Sequence, residues 1–358
     1  MINVTRSFMP PIEEYQQYIK KIWDSKCLTN DGPLLKELQI RLQEFLRLDY
    51  INLVTNGTIA LELALRALKI KEGEIITTPF TFVATTSSII WENCKPVFVD
   101  IDKETLCIDV DKIEKAITKD TKAIIAVHVF GYPCNVEKIQ EIADRHNLKV
   151  IYDGAHAFGS KYKGKSLLGY GDITTCSFHA TKVYHTIEGG ACISNKKEIN
   201  EKIRALKNFG NVKGNYEIVG TNAKMSEFNA AMGLANLKYI DEIIAERKEI
   251  SELYDELLNG IVERPKVIDG VEYNYIYYPI ILKDEAATLD IIRRLNENDI
   301  NPRRYFYPSL NKLNYIENKI NCPISEDISR RIICLPLYNG LKKEKVLEIC
   351  KIIKERVG

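Results

Sequence analysis

The sequence has no arrangement of cysteine or histidine residues that is typical of a disulfide framework or a metal site. Its nine cysteines are scattered and include no C-x-x-C pair. An odd, dispersed set of thiols is typical of a reduced compartment. The five histidines all lie between positions 128 and 185, without H-E-x-x-H or comparable ligand spacing. We therefore expect a cytoplasmic protein that binds no metal.

The sequence also lacks an excess of charge and a long hydrophobic run. Lys and Arg total 50 against 49 for Asp and Glu, so the chain has no general electrostatic attraction to nucleic acid or to an anionic membrane. No segment contains eighteen uncharged apolar residues in succession, and the N-terminal MINVTRSFMPPIEEYQQYIKKIW has no apolar signal-peptide core. We expect neither a nucleic-acid partner nor a membrane partner.

Strand-like and helix-like segments alternate through the first two thirds of the chain. The apolar runs of strand length are 51–54, 74–79, 95–102, 122–131 and 149–156. This order predicts an α/β fold with a mostly parallel sheet that is flanked by helices on both faces. In such sheets, ligands bind beyond the carboxyl ends of the strands.

The last third of the chain has a different pattern. A strand-like segment at 273–282, a helix-like segment at 286–298 and a closing strand, turn and helix predict a smaller α+β unit. With 358 residues and 45% hydrophobic content, the chain is long enough for two domains. We predict a large α/β domain at 1–245 and a small C-terminal α+β domain at 246–358.

One lysine lies between two strand-like segments. Lys182 follows the segment 173–178 and precedes Gly189, Gly190 and the segment 191–193. Most lysines are solvated charges. A lysine held against apolar surface loses its proton more easily, and its neutral amine can attack a carbonyl carbon. Lys182 is therefore the candidate catalytic residue.

An acidic residue follows the strand-like run that ends at Tyr152. Asp153 stands 29 positions before Lys182, at the expected carboxyl edge of the sheet. Its carboxylate could hold a heteroaromatic nitrogen in the protonated state. A helix cap or an ion pair is an equally ordinary role for such a residue.

A polar turn joins the strand-like segment 51–54 to an Ala- and Leu-rich helical segment. Its residues include Asn56, Gly57 and Thr58. The N–H groups and dipole at a helix N-terminus favour an anion such as phosphate. Alternatively, Asn56 or Thr58 only caps the helix. A nicotinamide dehydrogenase would need G-x-G-x-x-G here, and TNGTIAL does not supply it.

Eight blocks of the sequence, in order, resemble the pyridoxal-phosphate aminotransferases of nucleotide-sugar biosynthesis. The blocks are NGTIALELALRAL, TPFTFVATTSSI, KPVFVDIDKETLCID, TKAIIAVHVFGYPCNV, VIYDGAHAFGSKYKGK, CSFHATKVYHTIEGGACISN, TNAKMSEFNAAMG and LPLYNGL. The resemblance implies the aspartate-aminotransferase fold, a pyridoxal 5′-phosphate cofactor, and nucleotide-sugar and glutamate substrates. It also implies a homodimer with active sites shared between subunits.

The resemblance assigns roles to particular residues. Lys182 would carry the cofactor and move a proton, and Asp153 would pair with the pyridine nitrogen. The remaining cofactor contacts would come from Gly57, Thr58 and Ser177 at the phosphate, Phe82 against the ring, His156 at the 3′-oxygen and Asn222 from the other subunit. Substrate contacts would come from His179, Tyr184, His185, Thr186 and Glu188 at the hexose, and from Asn30, Arg303, Tyr305 and Tyr307 at the nucleotide or diphosphate. Packing or solvation is an equally ordinary role for each of these substrate residues.

The residues around the lysine also suggest a regiochemistry. S-F-H before the lysine and E-G-G after it resemble family members that aminate C4 of a keto-sugar, whereas S-F-Y-P is commoner in those that aminate C3. The expected reaction transfers an amino group from L-glutamate to C4 of dTDP-4-keto-6-deoxy-D-glucose. The product, dTDP-4-amino-4,6-dideoxy-D-glucose, would serve O-antigen or other glycan synthesis. The alternatives are a 3-aminotransferase of the same family and a non-catalytic pyridoxal-phosphate sensor.

Overall fold

The computed structural model describes residues 1–317 and 319–357. The α-helices are α1 Ile12–Ser25, α2 Pro33–Leu46, α3 Gly57–Ala67, α4 Val83–Trp91, α5 Val110–Ala116, α6 Val136–His146, α7 Lys197–Leu206, α8 Glu227–Leu237, α9 Ile240–Leu258, α10 Glu285–Glu297, α11 Pro323–Arg331 and α12 Lys343–Val357. Side-chain oxygens that accept a backbone N–H near the helix start cap α3, α5, α6, α8 and α10. These caps satisfy N–H groups that have no partner within the helix.

The strands include both sheet-forming segments and short pairs at the surface. Their bounds are β1 Ile2–Asn3, β2 Ile51–Val54, β3 Glu74–Thr77, β4 Lys95–Phe98, β5 Thr121–Val127, β6 Lys149–Asp153, β7 Lys161–Tyr162, β8 Lys165–Ser166, β9 Ile173–Ser177, β10 Gly190–Ile193, β11 Asn211–Val212, β12 Asn215–Tyr216, β13 Val271–Glu272, β14 Tyr278–Ile281, β15 Ile300–Asn301 and β16 Ile332–Leu335.

The central sheet of the described chain has the strand order β2-β10-β9-β6-β5-β3-β4. Strand β10 runs antiparallel to both of its neighbours. The other pairs in this sheet are parallel. The prediction of an α/β fold with a mostly parallel sheet is confirmed.

Both faces of this sheet are buried, as parallel strands with helical crossovers require. In β6, Ile151 packs into one apolar cluster, which also contains residues of α3 and α7. Val150 and Tyr152 point into the larger cluster on the opposite face. The run of apolar residues in β6 therefore reflects burial on two sides, and its polar last residue, Asp153, lies at the edge.

The C-terminal elements have a core of their own. Residues of α9, α10 and α12 pack on the antiparallel pair β14 and β16. The N-terminal β1 pairs in parallel with β15, so the first residues of the chain join this C-terminal layer. Helix α9 runs through positions 245 and 246, and the division of the chain into 1–245 and 246–358 stays a prediction.

The predicted strand at 273–282 is shorter in the structure, which has only Tyr278–Ile281 as a strand there. Tyr275 has a positive φ of 53°, which interrupts extended backbone. The Asn274 side-chain amide donates to the carbonyls of His156 at 2.7 Å and Phe158 at 2.8 Å. Residues 273–277 thus form a bridge to the central domain, which alternation of apolar residues could not reveal.

Two further observations concern the chain as a whole. Among the described residues, no helix has the length and apolar character needed to span a membrane. All nine cysteines are free thiols, and eight of them are buried.

Candidate active site

A cavity of about 290 Å³ opens at the carboxyl ends of β6 and β9. Residues from the sheet edge, from the start of α3 and from the C-terminal part of the chain line it together. The sequence-predicted residues that line it are Gly57, Thr58, Phe82, Asp153, His156, Ser177, His179, Lys182, Glu188, Arg303 and Tyr305. The structure therefore gathers residues that are separated by up to 248 positions (305 − 57).

Asp153 lies on the floor of this cavity. It ends β6 in register with Val127 of β5 and Thr175 of β9, and it is only 6% exposed. One carboxylate oxygen, Oδ2, accepts the Thr85 hydroxyl at 2.7 Å, and Oδ1 accepts the Ala155 N–H at 3.1 Å. A carboxylate has about four acceptor sites, so Asp153 can still accept another hydrogen bond from a group in the cavity.

Lys182 lies in the turn between β9 and β10 and lines the same cavity. Its backbone N–H donates to the His179 carbonyl at 2.9 Å, which closes the turn. Burial lowers the pKa of the Lys182 ammonium from 10.5 to about 8, although the nearby Asp153 carboxylate opposes this shift. Near neutral pH a useful fraction of this lysine is therefore the nucleophilic amine.

His156 is a neutral side chain at the side of the cavity. Its Nδ1 accepts the Phe130 N–H at 3.2 Å. Burial, and to a smaller extent the charge of Lys182, holds the pKa of His156 well below its usual value of 6.5. Because Nδ1 is an acceptor, the single proton of the neutral ring lies on Nε2 and can be donated.

The start of α3 meets the end of β9 at close range. The Asn56 side chain accepts the Ile59 N–H at 2.9 Å and caps the helix. A Cβ on Gly57 would lie 2.9 Å from the Ser177 Cβ, and one on Gly190 would lie 2.6 Å from the Asn56 carbonyl. Capping by Asn56 leaves Gly57, Thr58 and Ser177 on the cavity wall, so the cap and an anion at this helix start are compatible.

Polar side chains surround the mouth of the cavity. His179 Nδ1 lies 2.8 Å from the Thr181 hydroxyl, and its Nε2 lies 3.5 Å from Glu188 Oε1. Across the opening, Arg303 Nη1 donates to the Tyr305 hydroxyl at 3.2 Å. The mouth thus carries an acidic group, a basic group and neutral hydrogen-bonding groups, which can orient a polar ligand.

One cavity thus contains a lysine with a lowered pKa, a buried carboxylate and a helix N-terminus. The DegT/DnrJ/EryC1/StrS aminotransferase family matches residues 11–354 of the chain. The chain belongs to this family. It is an enzyme of the aminotransferase class, and both the predicted family and the predicted fold are confirmed.

Individual relatives agree with this placement. The aminotransferase is 42% identical to dTDP-4-amino-4,6-dideoxy-D-glucose transaminase of Shigella dysenteriae over an alignment of 362 positions, which covers 99% of this chain and 98% of that enzyme. It is 36% identical to GDP-perosamine synthase of Escherichia coli O157:H7, covering 95% and 94% of the two chains. The crystal structure of DesI in the presence of its TDP-sugar product superimposes with a TM-score of 0.94 at 30% identity, over 99% of this chain and 92% of that one.

Three of the predicted hexose contacts lie in the core of the aminotransferase instead of on the cavity wall. The Tyr184 ring stacks on Phe158 with centroids 4.4 Å apart. His185 Nε2 lies 2.7 Å from the Phe8 carbonyl, and the buried Thr186 hydroxyl donates to the Glu188 carbonyl at 2.9 Å. For these three residues, the structure favours packing over contact with a substrate.

Three other predicted residues of the aminotransferase are exposed and lie outside the cavity of the single chain. Asn30 is in the turn before α2, and Asn222 is in the loop before α8. Tyr307 is 50% exposed, and the Arg304 guanidinium lies 3.5 Å from its ring centroid. The proposed contacts of Asn30, Asn222 and Tyr307 stay predictions.

The structure also adds residues that the sequence did not single out. Tyr277 and Phe306 line the cavity. The Tyr277 ring meets the His156 ring edge-on, with centroids 5.1 Å apart. Tyr277 directly precedes β14, and Phe306 lies between β15 and α11. Both are more than 120 positions beyond Asp153 in the sequence (277 − 153). Across residues 1–317 and 319–357, no group of three or more His, Cys, Asp and Glu side chains could hold a metal ion.

Proposed function

We propose that this aminotransferase uses pyridoxal 5′-phosphate to transfer an amino group from L-glutamate to C4 of dTDP-4-keto-6-deoxy-D-glucose. The product would be dTDP-4-amino-4,6-dideoxy-D-glucose, a building block for O-antigen or another glycan. The observation that carries the proposal is the pairing of Lys182, whose pKa is lowered to about 8, with the buried Asp153 in one cavity.

The cavity residues fit this cofactor. Gly57 approaches Ser177 so closely that a Cβ would not fit between them. Both residues line the cavity at the start of α3, where backbone N–H groups favour a phosphate. Asp153 offers a carboxylate to a ring nitrogen, and Lys182 offers an amine to an aldehyde carbon. When bound, pyridoxal phosphate supplies that aldehyde carbon and a protonated ring that accepts an electron pair from the reacting carbon.

Lys182 is the group that would move protons during the reaction. The charged form is the ammonium, and burial disfavours it. As the neutral amine, Lys182 Nζ can take a proton from a substrate carbon, and as the ammonium it can return one. A pKa of about 8 gives appreciable amounts of both forms near neutral pH, which suits a general acid and base.

Two further residues would hold and orient the cofactor. The neutral His156 presents its Nε2 proton, which suits donation to a ring oxygen. Phe82, at the start of α4, is 58% exposed and lines the cavity. Its ring offers an apolar face for a stacked heteroaromatic ring.

Relatives support the nucleotide-sugar substrate. The Shigella dysenteriae enzyme, 42% identical over nearly the whole chain, is named for dTDP-4-amino-4,6-dideoxy-D-glucose. In this chain, His179 and Glu188 lie beside Lys182 at the mouth, where they would meet the hexose, and Arg303 and Tyr305 would meet the diphosphate. We propose a cytoplasmic homodimer in which Asn222 of each subunit completes the other subunit's phosphate site.

The test is product analysis by mass spectrometry and NMR. Purified holoenzyme is incubated with glutamate and one sugar nucleotide in each reaction. The three sugar nucleotides are dTDP-4-keto-6-deoxy-D-glucose, its 3-keto isomer and a GDP-linked 4-keto-6-deoxy sugar. We expect a 4-amino product from the first substrate and much less from the others. A 3-amino product from the 3-keto isomer would instead identify a 3-aminotransferase.

The Lys182→Ala variant is the matched control for cofactor binding. Wild-type protein is expected to show the visible absorbance of lysine-bound pyridoxal phosphate, and the variant is expected to lose it. Retention of the band in the variant would rule out Lys182 as the cofactor lysine. A bound cofactor without any half-reaction with glutamate would indicate a sensor protein.

A further inference from the structure

Two buried threonines adjoin Asp153, and one of them, Thr81, also lines the cavity. The Thr85 hydroxyl donates to Asp153 Oδ2 at 2.7 Å, and the Thr81 and Thr85 hydroxyl oxygens are 2.9 Å apart. Thr85 is fully buried and Thr81 is 2% exposed. The three side chains therefore form a hydrogen-bonded chain that is shielded from water.

The donor and acceptor capacities of these groups fix the direction of the two hydrogen bonds. An ionised carboxylate only accepts hydrogen bonds, and a hydroxyl has one proton to donate. Because Thr85 gives its proton to Asp153, it must accept the proton of Thr81. Consecutive hydrogen bonds of the same direction polarise and strengthen one another in a buried setting.

We propose that Thr85 is a positioning residue that holds the Asp153 carboxylate in the orientation needed to bind the cofactor's ring nitrogen. This inference rests on the proposed function. With Oδ2 bonded to Thr85 and Oδ1 to the Ala155 N–H, the carboxylate cannot rotate without breaking one of two hydrogen bonds. Thr81 supports Thr85 in turn, because its hydroxyl lies 2.9 Å from that of Thr85 and donates to it.

The neighbouring Thr86 shows that the role is specific to one hydroxyl. Thr86 is also fully buried in α4, but its hydroxyl has no hydrogen-bond partner. Replacing either threonine by valine removes a buried hydroxyl of the same size from the same helix. Only the change at Thr85 removes a hydrogen bond to Asp153, so Thr86→Val is a matched control.

The experiment measures the dissociation constant of pyridoxal 5′-phosphate from the full-length apoprotein by fluorescence titration. Thr85→Val should weaken binding by roughly 10- to 100-fold, the usual range for loss of a hydrogen bond to a charged group. Thr85→Ser keeps the hydroxyl and should restore affinity to within a few-fold of wild type. Thr86→Val should bind like wild type. Equal affinities of Thr85→Val and Thr86→Val would overturn the proposal.

A cofactor analogue separates positioning of Asp153 from a general structural effect. In 1-deazapyridoxal 5′-phosphate, carbon replaces the ring nitrogen, so Asp153 has no N–H to accept. Thr85→Val should then bind this analogue as well as wild type does. An equal loss of affinity for both ligands would overturn the proposal, because the variant would then act on something other than the nitrogen contact.

A second variant keeps the test decisive if Thr85→Val does not fold, as judged by circular dichroism. Thr81→Val leaves the Thr85 contact to Asp153 in place but removes its support, and it should weaken binding of pyridoxal 5′-phosphate a few-fold. An affinity equal to that of the wild type would contradict the proposed support of Asp153 by Thr81 through Thr85. Wild-type protein that binds no pyridoxal 5′-phosphate would refute the proposed function itself, which is a distinguishable result.

Discussion

At the scale of single residues, burial sets the protonation states on which the site depends. Burial disfavours the charged forms of both Lys182 and His156, and it lowers the pKa of each. The same cavity contains Asp153, whose carboxylate is met by two hydrogen-bond donors. A lysine that is partly neutral near pH 7, a neutral imidazole and a carboxylate therefore line one small cavity.

The lowered pKa of Lys182 predicts unusual reactivity in the apoprotein. With a pKa of about 8, the neutral fraction should rise from about one tenth at pH 7 to about nine tenths at pH 9. The rate of reductive methylation at Lys182 should therefore rise over this interval and level off above it. Peptide mass spectrometry after brief labelling at each pH measures this rate.

Lys138 supplies the internal comparison in the same experiment. It is exposed, and its hydrogen bond to the Asp111 carboxylate raises its pKa above 10.5. Its labelling rate should still be increasing at pH 9, where that of Lys182 has levelled off. Parallel profiles for the two lysines would contradict the assigned environment of Lys182.

At the scale of elements, the turn between β2 and α3 combines an observed helix cap with the proposed phosphate site. Asn56 caps α3 through its side-chain oxygen. The next two residues, Gly57 and Thr58, line the cavity. A capping residue and the proposed phosphate-binding helix start thus occupy consecutive positions, since the cap satisfies only one of the N–H groups that a helix leaves unpaired.

Two substitutions at Asn56 should separate these functions. Asn56→Ala removes the cap and should lower the free energy of unfolding by about 1 kcal/mol. Asn56→Asp keeps an acceptor for the Ile59 N–H, so stability should be retained, because a negative charge also suits a helix N-terminus. Its added charge should, however, weaken the affinity for pyridoxal 5′-phosphate by repelling the phosphate.

Urea unfolding and fluorescence titration measure the two effects on the same samples. The expected pattern is a stability loss in Asn56→Ala and an affinity loss without a stability loss in Asn56→Asp. If Asn56→Asp bound the cofactor as tightly as wild type, the phosphate would not lie at the start of α3.

At the scale of the whole molecule, the loop between α7 and α8 carries apolar side chains that the single chain leaves in water. Phe209 is 51% exposed, Tyr216 76% and Val219 86%. Exposed apolar residues that cluster along one segment favour a protein partner. Asn222 follows the same segment, which agrees with the proposed sharing of active sites between two copies of the chain.

Subunit complementation tests this sharing. Lys182→Ala and Asn222→Ala homodimers should each have low transaminase activity. If each Asn222 serves the other subunit's site, mixed dimers contain one intact site, and equal mixing with subunit exchange should restore about a quarter of wild-type activity. Activity of the mixture, measured after reversible dissociation and reassociation, checks this expectation.

The matched control mixes Lys182→Ala with Asp153→Ala. Both residues belong to the cavity of one chain, so every site in the mixed dimer carries a defect and activity should stay low. No recovery in the mixture of Lys182→Ala and Asn222→Ala would mean that Asn222 does not act in the partner's site.

Local pattern determined much of this protein. The alternation of apolar strands with helical segments predicted the parallel sheet, because burial of both faces imposes continuous apolar runs. Lys182, Asp153 and Gly57 could be found from the sheet edge where ligands bind. Asp153 ends β6, Gly57 opens α3 and Lys182 lies in the turn after β9. The order of the sequence blocks then indicated the family.

Other features depended on contacts between distant parts of the chain, which only the tertiary structure decides. Tyr184 and His185 stand close to Lys182 in sequence, but their rings turn into the core, because successive residues of a turn point in different directions. Tyr277 reaches the cavity because Asn274 bridges to the carbonyls of His156 and Phe158. Proximity along the chain fixes which residues share an element, whereas packing between elements fixes which side chains face one cavity.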